Sequence, residues 1–158
     1  MKESDVEDLF LDILSNIGYS IEFGPDISPG GKYQEREYSD PILTYRLKER
    51  LQLINPKIPD EAIDEAIRII RKNNSQELIS NNHDFHNLAV NGIDVQYRKR
   101  NGSIKHDKVF LFDFDHTENN EFLAVNQFTI IEDKHERRPD MVLFVNGIPL
   151  VITELKNP

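Results

Sequence analysis

Residues 141–145 and 148–152 are almost continuously apolar and are separated only by Asn146-Gly147, the dipeptide that best favours a two-residue hairpin turn. Two strands joined this closely must pair antiparallel, and runs apolar on both faces belong inside a sheet rather than on its wet side. The pattern also sets a problem of parity. A regular two-residue turn pairs Val145 with Ile148 and hence Asp140 with Thr153, which puts Asp140 and Glu154 on opposite faces. One residue must be absorbed for the two carboxylates to meet. Either a three-residue loop with Gly147 in the left-handed region, or a bulge near Asp140 or Glu154, would do it. Pro149, which has no N–H for the ladder, also predicts imperfect pairing beside the turn.

The ends of this hairpin carry the chemistry. Asp140 follows Pro139 at the start of one strand; Glu154 and Lys156 lie two apart at the end of the other, on one face if the chain stays extended. Two carboxylates and a lysine are the donor set needed to hold a divalent cation and handle an attacking water during phosphodiester hydrolysis. The plain alternative is a buried hairpin with a solvated, charged end. Against it, carboxylates at the ends of strands this apolar are poorly placed for solvation alone.

Upstream, apolar residues at helical spacing (Val6, Leu9, Phe10, Ile13, Leu14, Ile17) predict a helix over 4–17, capped by Ser4 and stopped by Gly18. Glu7 falls on the border of that stripe, where it either reaches inward or makes a salt bridge at the stripe's edge. Residues 24–40 are rich in Gly, Pro and polar side chains and read as a flexible loop. Leu43, Leu47, Leu51 and Ile54 mark a second helix ending at Asn55-Pro56. Pro59 opens a third, with Ala62, Ile63, Ala66, Ile67 and Ile70 inward. A further helical stretch over 75–90, interrupted near Asn81-Asn82, precedes Asn91-Gly92, where the period changes to two. Strands are expected over 93–99, 108–114, 121–132, 140–145 and 148–154. The chain of 158 residues reads as one domain, mainly helical over 1–90 and β-sheet over 91–158.

A net charge of −9 sits awkwardly with a grip on nucleic acid. The basic residues are clustered, however. Arg98, Lys99 and Arg100 open a basic run, which reads equally as a solvated turn, and Lys134, Arg137 and Arg138 lie just before Asp140, where a scissile phosphate needs positive neighbours. The absence of cysteine removes thiolate metal sites and disulfides. The N-terminus is acidic and unlike a signal peptide, and no stretch is long and apolar enough to span a membrane. A cytoplasmic protein that does not engage membranes is expected.

One motif competes with the hairpin site. Residues 109–117, VFLFDFDHT, resemble the haloacid dehalogenase phosphatases, which implies Asp113 as phosphoryl acceptor and Asp115 as general acid/base. The short, hairpin-dominated remainder does not suit that family's parallel α/β architecture. An acidic strand end in an antiparallel sheet is the other reading of the motif.

Taken together, LKERLQLINP at 47–56, FHNLAVNGIDVQYR at 85–98, NEFLAVNQF at 120–128 and RRPDMVLFVNGIPLVITELKNP at 137–158 give a broader resemblance. The chain resembles the N-terminal nuclease region of the restriction (motor, R) subunit of type I restriction-modification enzymes. The resemblance implies a PD-(D/E)xK nuclease of α/β class, with a helical half packed on a mixed, mainly antiparallel sheet. It implies Asp140 and Glu154 as Mg²⁺ ligands (Mn²⁺ substituting), Lys156 at the attacking water, and Glu7 as a further acidic residue reaching the site from the first helix. In that family a helix with a Gln-x-x-x-Tyr motif follows, so a domain truncated at its C-terminal end is expected. The resemblance further implies cleavage of double-stranded DNA coupled to ATP-driven translocation by motor domains, with methylation and specificity subunits as partners. No Walker lysine motif occurs here, so ATP belongs to those other domains. A catalytically silent DNA-binding or docking fragment is the alternative.

Overall fold

The computed structural model describes residues 3–72 and 78–156. The chain divides into two compact units, residues 1–45 with 121–158 and residues 46–120. The boundary therefore cuts across the expected division into a helical and a β half, because sheet strands come from both ends of the chain.

In the first unit, helix α1 (Glu3–Asn16) leads through Gly18 into strand β1 (Ser20–Phe23) and a short helix α2 (Gly24–Ile27). Gly18 has φ +101°, the left-handed conformation that lets the N–H of Tyr19 donate back to the carbonyl of Leu14 and close the helix. The remaining strands are β4 (Phe122–Asn126), β5 (Ile130–Glu132), β6 (His135–Arg137), β7 (Met141–Val145) and β8 (Ile148–Thr153). Four of these strands form a sheet in the order β1-β4-β7-β8, with β1 parallel to β4 and the other pairs antiparallel. It is the mixed, mainly antiparallel sheet that the resemblance implies. The expected single strand over 121–132 is two, and β5 turns into β6 as a separate hairpin.

The sheet's two faces are covered by different residues. Ala124 and Met141 pack with Leu14 of α1, joined by Phe10, Leu11, Tyr19 and Leu143. On the other face Leu123, Val125, Val142 and Phe144 pack with Ile27, Leu43 and Phe128. Strand β7 is thus covered on both sides, as expected, but β8 is an edge strand whose Leu150, Val151 and Ile152 are exposed. The inward stripe of α1 is also rotated from the predicted one, with Leu11 packing inward while Leu9, Ile13 and Ile17 stay exposed. The side chain of Ser4, the expected cap, lies outside the described residues.

The segment over 24–40, expected as a flexible loop, is pinned by Arg36. Its guanidinium is 4% exposed, stacks 3.9 Å over the Phe128 ring, and donates to the carbonyls of Thr129, Tyr38 and Asp40 and to Ser28 Oγ.

The second unit contains most of helix α3 (Thr44–Ile54), with helices α4 (Asp60–Arg71) and α5 (Leu78–Asn91) and the antiparallel hairpin β2 (Ile93–Arg98) and β3 (Ile104–Val109). Leu47, Leu51, Ala62, Ile63, Ala66 and Ile67 are buried, as their helical spacing requires. Buried Asn55 ends α3 with its side chain bonded to both the N–H and the carbonyl of Phe110. Helix α5 runs unbroken through Asn81-Asn82; residues 75–77 of the expected helix lie outside the described residues. The expected strand over 108–114 lies instead at 104–109. Among the described residues no helix is long and apolar enough to cross a membrane.

Candidate active site

The parity problem of the β7–β8 hairpin is solved within β8. The turn has two residues, Asn146 at φ 54° and Gly147 at φ 78°, both left-handed as a type I′ turn requires. It is fixed from outside the hairpin: Asn146 exchanges hydrogen bonds with the main chain of Glu121, and the carbonyl of Gly147 accepts the N–H of Leu43. Val145 then pairs with Ile148 and Phe144 with Pro149, but Leu143 pairs with Val151. Leu150 is the extra residue, a bulge next to the proline that cannot serve the ladder. Beyond it Met141 pairs with Thr153, the last pair of the hairpin. Continued by one position, this register would oppose Asp140 and Glu154 and turn their side chains to one face.

Asp140 is half-buried behind buried Pro139, and its Oδ2 accepts the N–H of Leu155 at 2.7 Å. That bond holds the chain beyond β8 against the start of β7, while Glu154 and Lys156 on either side of Leu155 are exposed. The structure thus ties Asp140 to the main chain of Leu155, the residue between Glu154 and Lys156.

Glu7 arrives from a different side. Alternation along β4 puts Asn126 with Ala124 on the face covered by α1, whereas along β7 it puts Asp140 with Val142 and Phe144 on the other. The Glu7 carboxylate accepts the side-chain amide of Asn126 at 2.9 Å and that of Gln127 at 3.4 Å. In this structure the carboxylate is an acceptor for two neutral side-chain amides. Among the described residues no group of three or more acidic or histidine side chains is placed to hold a metal ion. Its link to Asp140 runs through Gln127, whose main-chain N–H donates to the Asp140 carbonyl at 2.9 Å. Asn126 and Gln127 escaped the sequence reading; a polar pair closing an apolar strand was the available signal.

The basic candidates are exposed. Lys134 lies in the β5–β6 turn, with Arg137 ending β6 and Arg138 just after it, so all three precede Asp140 on one connected segment. Arg98, Lys99 and Arg100 lie at the tip of the β2–β3 hairpin in the second unit.

Asp113 is engaged in a turn of that second unit. Its carboxylate accepts the N–H groups of Asp115 and His116 and the side-chain amide of Asn119. These bonds, the Asn119 amide first, hold its pKa below the ordinary value. The strand before it ends at Val109 and belongs to a two-stranded antiparallel sheet, not the parallel sheet that the phosphatase motif requires. Asp113 and Asp115 are accounted for as parts of a turn.

Comparison with known proteins shows the family of the chain. Residues 1–158 match the family described as the type I restriction enzyme R protein N terminus. The chain is 37% identical over 160 residues to the type I restriction enzyme HindI endonuclease subunit of Haemophilus influenzae, covering 100% of this chain and 15% of that subunit. It is 35% identical over 157 residues to the putative type I restriction enzyme MjaIXP endonuclease subunit of Methanocaldococcus jannaschii, covering 97% of this chain and 15% of that protein. The chain therefore spans about 15% of the length of these curated relatives. With the whole chain matched, it belongs to the family of type I restriction enzyme R protein N termini, the N-terminal region of the endonuclease subunit.

Proposed function

We propose that this region is a PD-(D/E)xK nuclease domain that cleaves double-stranded DNA within a type I restriction complex, using Asp140, Glu154 and Lys156. The observation that carries the reading is the Leu150 bulge. It shifts the hairpin register by one, so that the pairing that ends at Met141 and Thr153 would, carried one position further, set Asp140 and Glu154 on one face.

Their carboxylates are hard oxygen donors of the kind Mg²⁺ takes, and Mn²⁺ accepts the same set. Magnesium is commonly held by one or two carboxylates and completed by substrate phosphate and water, so a pair is a sufficient protein contribution. Asp140 would offer Oδ1, since Oδ2 holds the N–H of Leu155. When bound, the cation would neutralise charge on the scissile phosphate and acidify the attacking water. Lys156 would orient that water and stabilise its ionised form. Lys134, Arg137 and Arg138 would bind phosphates on either side of the scissile one, a backbone grip without sequence readout. In this reading the target is chosen by specificity and methylation subunits. ATP acts only through motor domains elsewhere in the full subunit, and the complex works in the cytoplasm.

The test is made in the full-length subunit assembled with those partners, scoring DNA cleavage and ATP hydrolysis side by side. Asp140→Ala and Glu154→Gln should each abolish cleavage and leave ATP hydrolysis intact. Cleavage that survives Asp140→Ala would end the proposal, and loss of both activities would give Asp140 a structural role instead.

A further inference from the structure

Among the described residues, three that are not glycine have positive φ: Gln127, Asp133 and Asn146. Asp133 and Asn146 occupy hairpin turns and are residue types that tolerate the left-handed region. Gln127 is neither. It follows the last residue of β4, and a long side chain there costs about 1 kcal/mol of backbone strain. Strain of this kind persists only where its surroundings enforce it.

The surroundings do so from three sides. The N–H of Gln127 donates to the Asp140 carbonyl, continuing the β4–β7 ladder by one rung. Its own carbonyl lies so close to Gly24 that a Cβ there would stand 2.4 Å away. The next residue, Phe128, is fully buried beneath the Arg36 guanidinium. Regular alternation would send the side chain of residue 127 with Leu123 and Val125, away from α1. The left-handed turn lets the main chain stay paired with Asp140 while the side-chain amide reaches Glu7 on the α1 side.

We infer that Glu7 and Gln127 are positioning residues: Glu7 fixes Gln127 and Asn126 by accepting their amides, and Gln127 in turn fixes the main chain of Asp140. This rests on the reading of Asp140 as a site residue and replaces the expectation that Glu7 itself binds the cation. The two roles differ in what they ask of residue 7. A cation ligand needs the negative charge; an anchor for two amides needs only an oxygen acceptor, which glutamine also has.

The experiment compares Glu7→Gln, Glu7→Ala, Gln127→Gly and the Glu7→Ala/Gln127→Gly pair in the full-length subunit. Cleavage rate is measured at saturating Mg²⁺, together with the Mg²⁺ concentration giving half the maximal rate. Gln127→Gly is chosen because glycine accepts the left-handed backbone, so only the amide is lost. Glu7→Gln should cleave within about threefold of the parent, while Glu7→Ala and Gln127→Gly each fall about tenfold, the scale of one hydrogen bond to a charged group. The double variant should be no worse than Glu7→Ala alone, because Glu7→Ala already removes the bond that Gln127→Gly deletes, together with that of Asn126. None should raise the Mg²⁺ requirement severalfold. Loss of cleavage in Glu7→Gln as complete as in Glu154→Gln, with a raised Mg²⁺ requirement, would make Glu7 a ligand and overturn the inference. So would a multiplicative loss in the double variant, or full activity in Gln127→Gly. Cleavage that survives Asp140→Ala is the separate result that fells the site itself.

Discussion

Replacing Arg36 by lysine should cost as much stability as removing its charge altogether. The guanidinium spans acceptors that a single ammonium cannot reach together: Nη1 donates to the Thr129 carbonyl at 2.8 Å, Nε to that of Asp40 at 3.0 Å and Nη2 to that of Tyr38 at 3.1 Å. Its plane also lies on the Phe128 ring. A lysine keeps the buried charge but serves one end of this array, and a point charge does not reproduce the stacking. Arg36→Met keeps the apolar stem and removes the desolvated cation, whose pKa burial already pushes down against the pull of Asp40. Each part-buried carbonyl deprived of its donor costs about 1 kcal/mol or somewhat more. Lysine leaves two of the three without a donor and methionine all three, the latter offset by removal of the desolvated cation, so both variants should lose roughly 3 kcal/mol, a large part of the ~5–15 kcal/mol that holds a domain folded. Urea unfolding of this chain measures the loss, and limited proteolysis should show new cuts between residues 28 and 43. An Arg36→Lys variant within about 1 kcal/mol of the parent would refute the reasoning, since a point charge would then suffice.

Two further outcomes follow from particular bonds. Deleting Leu150 should remove the bulge while leaving every pair beyond it, Met141 with Thr153 included, in register. Leu150 is 46% exposed, so the loss of stability should be about 1 kcal/mol, and cleavage by the full-length subunit should persist; a folded but inactive deletion would show that the bulge does more than set parity. In the second unit, Asp113→Ala should lower the thermal unfolding temperature, because the carboxylate holds two main-chain N–H groups and the Asn119 amide. Its folded pKa is depressed, so this contribution is present above the unfolded value of about 3.9 and disappears as pH falls through the lower folded value. The gap between parent and variant should therefore close in acid, and a gap independent of pH would exclude the carboxylate as its source.

What the sequence conveyed and what it withheld divide along a physical line. Asn146-Gly147 between apolar runs determined a two-residue turn, and counting outward from it exposed a parity conflict that one extra residue had to resolve. The expected places, a three-residue loop or a bulge near Asp140 or Glu154, were wrong: the extra residue is Leu150. Pro149 supplies the reason it lies beside the turn: with no N–H there, looping out Leu150 sacrifices little of the ladder. The helices of the second unit were legible for a similar cause, since Ala62, Ile63, Ala66 and Ile67 repeat a local period that needs no knowledge of partners. Strand β1 was not legible, because four residues offer no period and its pairing partner β4 lies about a hundred positions away. Glu7 was placed at the border of its stripe, but its partners Asn126 and Gln127 lie about 120 positions away, and the bond to Gln127 also needs that residue's left-handed turn, held by Asp140, Gly24 and Phe128. A carboxylate's position on its own helix can thus be read from spacing, while its role is decided by long-range pairing. The register of the hairpin escapes this limit because turn and strands lie within one local stretch of chain, and the bonds of Glu7 do not because they reach from the first helix to the end of β4.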